Sequence, residues 1–388
     1  MVNSQKSTQG LTAVEKNKKT IFNIEAMKLK RRILIYFSIF IFILSCTSSN
    51  ANNAKISQNT ESELPVQKPE PEMVLYEGPL MHIFFHPLVA RPETAFRSRY
   101  REHFLEWYVT AYEYRKILNE IYAKNYALID VNEVYEIINT GNRTSVVYKK
   151  PLIPEGKIPM ILSIDDLSYY DFVRRNASVY KLVFDNNGNI AAWTDNGSGG
   201  EISYDLDVVT YLEEFIKEHP DFSIRGARGI IALTGYEGVL GYATHKMNDA
   251  KYEEEKQKAI AIVNKLKTLG WRFASHSWGH PHLPEISMEQ FIADANRWDR
   301  EVRPVLGDTN LYIYPFGEGV EGNEEKHRIL REKKFNVFFG VGRGTGRREG
   351  QGYIYFDRRN IDGVYFRLYG NRTDRLFDIE KVIDPLRR

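Results

Sequence analysis

Short apolar runs alternate with helically spaced segments over most of the chain. Met160-Ile161-Leu162-Ser163-Ile164, Gly229-Ile230-Ile231-Ala232-Leu233, Trp271-Arg272-Phe273-Ala274-Ser275, Leu311-Tyr312-Ile313-Tyr314 and Tyr353-Ile354-Tyr355-Phe356 have the length and composition of strands. Helix signals lie between them. Thr110-Ala111-Tyr112-Glu113 has the form of a capping box opening a helix that carries Leu118, Ile121 and Tyr122, and Ser287-Met288-Glu289-Gln290 opens another with Phe291, Ile292 and Trp298. Asp249 is expected to cap a helix whose Ile260, Val263 and Leu266 share a face and which stops at Gly270. Strand, helix, strand in this rhythm is the grammar of a parallel α/β barrel.

One stretch breaks the rhythm. Lys181-Leu182-Val183-Phe184 and Ile190-Ala191-Ala192-Trp193 flank Asn186-Asn187-Gly188, which predicts an inserted β-hairpin. A glycine-rich link, Asn196 to Gly200, then leads to a helix with Val208, Val209, Leu212, Phe215 and Ile216, ended by His219-Pro220. The insertion is placed near residues 175–245.

The candidate chemistry sits just after the apolar runs. Asp165-Asp166 follows the first, His276-Ser277-Trp278-Gly279-His280 follows the third, and Pro315-Phe316-Gly317 follows the fourth. Loops at the C-terminal ends of barrel strands are where such a fold builds its site. Two imidazoles and one carboxylate make a three-ligand site for a zinc-like ion with a position left open. A second carboxylate beside it can accept a proton from attacking water, and adjacent aspartates at a strand end point apart, so the pair can divide the two tasks.

These motifs resemble the polysaccharide deacetylases of carbohydrate esterase family 4, which share a NodB-homology domain. The resemblance rests on Asp165-Asp166, on His276 to His280, on Tyr314-Pro315-Phe316-Gly317 and on their order, with His82-Ile83-Phe84-Phe85-His86-Pro87 as the opening strand. It implies a distorted (β/α) barrel of the NodB-homology type with an inserted hairpin and loop region. It implies Asp165 as general base, Asp166, His276 and His280 as ligands of a divalent metal, Zn2+ before Co2+ or Ni2+, and the backbone N–H of Phe316 as oxyanion donor. The reaction implied is removal of an N-acetyl or O-acetyl group from a glycan.

The chain departs from the family pattern in three places. Leu167-Ser168-Tyr169-Tyr170 stands where a glycine usually follows the aspartates, and no histidine follows His327, so His86 or His245 is the expected acid. The usual arginine before the proline is missing, and Arg359, with Arg358 beside it, is the expected replacement that orients Asp165. Tyr169, Tyr170, Tyr236, Tyr242, Trp278 and Tyr314 are expected to line the sugar site, with Glu237 near them.

The front of the chain bears on location. Lys28 to Arg32 followed by Ile33 to Leu44 reads as a signal peptide over residues 27–45, too short for a comfortable membrane span. Ile43-Leu44-Ser45-Cys46 resembles a bacterial lipobox, and Cys46 is the only cysteine in 388 residues. A single cysteine at that junction is more simply explained by acylation than by disulfide chemistry. Residues 1–26 suggest a start codon placed too far upstream. Residues 46–73, rich in Ser, Asn, Gln, Glu and Pro, form a tether, and residues 74–388 form the catalytic domain. The expected partners are a polysaccharide substrate and the membrane, through lipid on Cys46, in the cell envelope. A formal net charge of +2 with mixed signs gives no basic stripe for nucleic acid. Two other readings compete: hydrolysis of a different acyl or amide group, and a glycan-binding lipoprotein without catalysis.

Overall fold

The computed structural model describes residues 71–141, 143–372 and 376–387. The expected start, signal peptide, Cys46 and the tether as far as residue 70 lie outside the described residues. The first strand among the described residues, Met73–Leu75, pairs antiparallel with Leu152–Pro154.

Seven parallel strands close into a barrel. They are β1 (Met81–Phe85), β2 (Ile158–Ile164), β3 (Ile230–Leu233), β4 (Arg272–Ser275), β5 (Leu311–Ile313), β6 (Val337–Val341) and β7 (Tyr353–Asn360). Each pairs in parallel with the next, and β7 returns to β1 through Arg359↔Ile83 and Asn360↔Phe84. The closure is uneven. Only Ser163 and Ile164 of β2 reach β3, while its start, Ile158 to Met160, pairs with an extra strand Tyr126–Leu128. The distorted α/β barrel predicted from the sequence is the fold of the protein.

Helices ring the barrel: α1 (Arg101–Trp107), α2 (Ala111–Ala123), α3 (Val208–Glu218), α4 (Tyr252–Leu269), α5 (Met288–Glu301), α6 (Glu324–Glu332) and α7 (Gly363–Tyr369). Capping boxes start α2 at Thr110 and Glu113 and α5 at Ser287 and Gln290. α4 ends at Gly270, whose φ of 107° is a left-handed conformation that glycine adopts without strain. Its start differs from expectation. Asp249 accepts from Lys251 N at 2.8 Å, closing a turn of its own, and the helix begins three residues later at Tyr252.

The inserted hairpin pairs Lys181–Phe184 with Ile190–Thr194, and Glu201–Ser203 adds a third strand. That strand is too short to leave a sequence pattern. Among the described residues no helix is long and apolar enough to cross a membrane.

Side chains alternate between two layers, as period 2 requires. Met160, Leu162, Ile231, Tyr312, Phe338 and Tyr355 pack outward against the helices. Ile161, Ile230, Ala232, Ala274, Leu311, Ile313, Val337, Phe339, Ile354 and Phe356 fill the barrel.

Candidate metal centre and cleft

Continuing those interior-facing positions toward the C-terminal ends of the strands leads from Ile161 to Ser163 and Asp165, from Ala274 to His276, and from Ile354 and Phe356 to Arg358. The same alternation that packs the barrel thus delivers one acid, one imidazole and one guanidinium to its upper end. Asp166 and His280 join them from the loops. The ligand atoms of Asp166, His276 and His280 all lie within 4.8 Å of one another.

The donor set fits a divalent ion of the zinc type. His276 Nε2 and His280 Nε2 each stand 3.8 Å from a different oxygen of Asp166. Tetrahedral ligands about 2.1 Å from one ion must lie roughly 3.4 Å apart, so modest closure suffices. His276 Nδ1 donates to the carbonyl of Ile313 at 2.8 Å, which fixes the tautomer that leaves Nε2 a lone pair. Burial pulls the His276 pKa down, against the pull of Asp165 and Asp166, so the ring favours the neutral form a ligand needs. Burial raises Asp166, but His280, His276 and His86 outweigh it and hold the carboxyl below its usual range. Tyr170 Oη donates to Asp166 and lies 2.8 Å from Thr234 Oγ1.

Asp165 has a different partner. Arg358, fully buried, grips it with Nη1 to Oδ1 at 2.7 Å and Nη2 to Oδ2 at 2.9 Å. Arg358 Nη1 also reaches Ser163 Oγ at 3.1 Å, and Ser163 Oγ lies 3.0 Å from His82 Nε2. Burial raises the Asp165 pKa, but Arg358 and His276 overcome it and keep the group ionised. The expected orienting residue, Arg359, points the other way. Its Nε donates to Arg343 O at 2.8 Å, because one step along a strand reverses the face.

Backbone strain collects here. Asp166 (φ 59°), Tyr169 (54°), Ser277 (59°), His280 (54°) and Phe316 (56°) account for five of the nine non-glycine residues with positive φ among those described. Each costs on the order of 1 kcal/mol, so the surrounding contacts must hold these loops. Asp294 accepts from Trp278 N and Gly279 N, both at 2.8 Å, and Ser277 Oγ accepts from His280 N at 3.0 Å. Buried Lys326 donates to Leu283 O at 2.7 Å and Ile286 O at 2.6 Å, pinning the chain just beyond.

The centre opens into a cleft of about 410 Å³ lined by Asp165, Asp166, His276, His280, His86, Tyr170, Tyr236 and Phe316, among others. Phe316 presents its ring there, 51% exposed, stacked on His282 and edge-on to His280. Tyr170 and Tyr236 stack at 4.7 Å. Other expected residues lie elsewhere. His245 lines a separate cavity of about 270 Å³ with Asp171, Arg174 and Glu237, so it is not the acid of this cleft. Tyr169 is buried with its hydroxyl on Asp207, Tyr242 donates to Leu182 O, Tyr314 is packed against Phe338, and Trp278 donates to Glu301. Their rings are apolar bodies recruited by the core.

The sequence reading missed His103, Trp107, Tyr108, Phe172, Asn360 and Asp362, which also line the cleft. His103, Trp107 and Tyr108 come from α1 and its end, in a loop whose position over the barrel leaves no local pattern. Asp362 carried a readable signal as the N-cap of α7.

Residues 243–338 match a family model described as polysaccharide deacetylase. That span holds His276, His280 and Phe316 and begins after Asp165 and Asp166. Similar solved structures include the Streptococcus pyogenes deacetylase PplD in complex with acetate, at 14% identity and TM-score 0.39 over 81% of this chain and 100% of that one. IcaB from Ammonifex degensii is similar at 12% identity and TM-score 0.41, over 74% and 94%. A de-N-acetylase from Aggregatibacter actinomycetemcomitans is similar at 12% and 0.41, over 79% and 100%. No curated protein matches the chain.

Proposed function

We propose that this chain is a metal-dependent hydrolase that removes acetyl groups from an extracytoplasmic polysaccharide. The observation that carries the reading is the convergence of Asp166, His276 and His280 within 4.8 Å, with Asp165 beside them on its own arginine. The family match over residues 243–338 supports the substrate class. The sequence Ile43-Leu44-Ser45-Cys46 supports a lipid anchor and hence the cell envelope.

Asp166, His276 and His280 would hold the divalent ion, which supplies Lewis acidity and a lowered pKa for water when bound. Asp165 takes the proton of the attacking water. Each of its oxygens gives Arg358 one lone pair and keeps another, and Arg358 holds the carboxylate still while it does so. Water adds to the acetyl carbon, and the backbone N–H of Phe316 donates to the developing oxyanion. His86 gives a proton to the leaving nitrogen as the C–N bond breaks, releasing acetate and a free amine. Its ring packs against Phe84 and Tyr108 in the same cleft, which is why it and not His245 is the acid.

Acetate release from N-acetylglucosamine oligomers and from acetylated xylan tests this. Release from the first with an equal yield of amine is expected. Release from xylan alone would move the assignment to O-acetyl groups, and none from either by metal-loaded protein would overturn it.

A further inference from the structure

The wall that α1 gives the cleft is held by a residue near the far end of the chain. His103, Trp107 and Tyr108 line the cleft, with Trp107 42% exposed and Tyr108 buried. His103 packs 5.5 Å from Tyr108 and 5.4 Å from Phe172. Yet α1 is seven residues long and has no side-chain N-cap. A helix so short does not hold its place alone.

Arg387 supplies the hold. Its Nη1 donates to Leu105 O at 2.7 Å and its Nη2 to Tyr108 O at 2.8 Å, satisfying carbonyls that the end of a helix leaves without partners. The same guanidinium bonds Glu113, Nε to Oε1 at 2.6 Å and Nη2 to Oε2 at 2.7 Å. Glu113 is fully buried and also accepts from Thr110 N at 2.8 Å and Asp384 N at 3.0 Å. One buried ion pair therefore ties α1, the start of α2 and the segment 384–387 together. α7 closes the other side. A Cβ on Gly363 would stand 1.7 Å from Leu105 O, so that contact requires glycine.

We propose that Arg387 is a positioning residue for substrate: it fixes α1 so that Trp107 offers its exposed face as a stacking platform for a pyranose ring two or more sugars away from the reacting one. The proposal rests on the polysaccharide reading of the cleft. The reacting groups stand on barrel strands and their loops, and of them only His86, whose ring packs on Tyr108, touches this wall; the extended sugar chain depends on it most. A flat indole suits the C–H face of a pyranose, and the hydroxyls at the ring edge stay in water.

The test compares Arg387→Ala, Arg387→Lys, Trp107→Ala and the Arg387→Ala/Trp107→Ala double variant on N-acetylglucosamine dimer and hexamer. Both single alanine variants should raise KM for hexamer roughly tenfold, the size of one lost aromatic contact, and change kcat far less. The dimer, which lacks the ring that the proposal seats on Trp107, should show little change in KM. The double variant should match Trp107→Ala alone, since Arg387 acts through that ring. Arg387→Lys should fall between wild type and Arg387→Ala. Hydrogen exchange at residues 101–109 should quicken in Arg387→Ala and not in Trp107→Ala. Additive effects, an unchanged KM for hexamer, or an equal loss of kcat on both substrates would overturn the proposal. If Arg387→Ala does not fold, Trp107→Ala and Arg387→Lys decide it by the same KM comparison. If wild type cleaves neither oligomer, the N-acetylglucosamine substrate reading fails by itself. Equilibrium binding of hexamer to the same variants then decides the platform: a roughly tenfold weakening supports it and unchanged binding overturns it.

Discussion

At the end of the barrel where the strands begin, the interior is Ile161, Ile230, Leu311, Val337 and Ile354; at the other end, the same rows of positions carry Asp165, His276 and Arg358. The backbone geometry is common to both, and only the residue types differ. The lower layer gains stability from apolar burial. The upper layer loses stability by burying charged and polar groups and recovers it only where each meets a partner: Asp165 with Arg358, the neutral ring of His276 with the carbonyl of Ile313 and Asp166 with Tyr170. The loops beyond it carry the left-handed residues. Stability is concentrated at one end, and chemistry at the end that spends it.

Breaking the upper layer should cost most. Arg358→Leu leaves Asp165 buried without its counter-charge, and we expect a loss of about 3–5 kcal/mol in urea unfolding. Turnover by the fraction that folds should fall roughly a hundredfold or more as the base loses its orientation. In the lower layer, Ile161→Ala should cost about 2–5 kcal/mol through the cavity it leaves. Its kcat/KM per folded molecule should stay at the wild-type value; a loss there would show that the two ends are not separable. Lys326→Met removes a clamp on the loop after His280, leaving the carbonyls of Leu283 and Ile286 without that donor. We expect a loss of about 1–3 kcal/mol in stability and a weaker metal affinity in chelator competition.

The smallest effect lies outside the barrel. His327, on α6, packs against Phe338 and Tyr353, and burial, with Arg331 adding to it, lowers its pKa to about 4. Unfolded histidine titrates near 6.5, so between those values the unfolded chain binds the extra proton. Its contribution is complete above about 6.5 and is lost as pH falls toward about 4. Urea midpoints compared at neutral and mildly acidic pH should fall more in wild type than in His327→Gln.

The sequence carried the barrel because period 2 and helical spacing are local, and each site loop follows directly from its strand. Asp165-Asp166, His276 and His280 were visible for that reason. Parity would also have distinguished Arg358 from Arg359: with Ile354 and Phe356 inside, residue 358 faces in and 359 faces out. What local pattern could not carry was anything set by distant chain segments. His245 and His86 both follow apolar strands, but the turn Val239 to Tyr242 carries the first into a different cavity. Tyr169 and Tyr314 look like sugar platforms in sequence, and only packing against Asp207 and Phe338 shows them to be core. The wall from α1 depends on Arg387, some 280 residues away, a hydrogen bond that no window of sequence contains.

The most direct test of the central claim is metal content and acetate release, measured together on wild type, Asp165→Asn and His276→Ala. One divalent ion in wild type and in Asp165→Asn, turnover in wild type alone, and loss of both in His276→Ala is the predicted result. Wild-type turnover in Asp165→Asn, or protein that binds no ion at all, would contradict it.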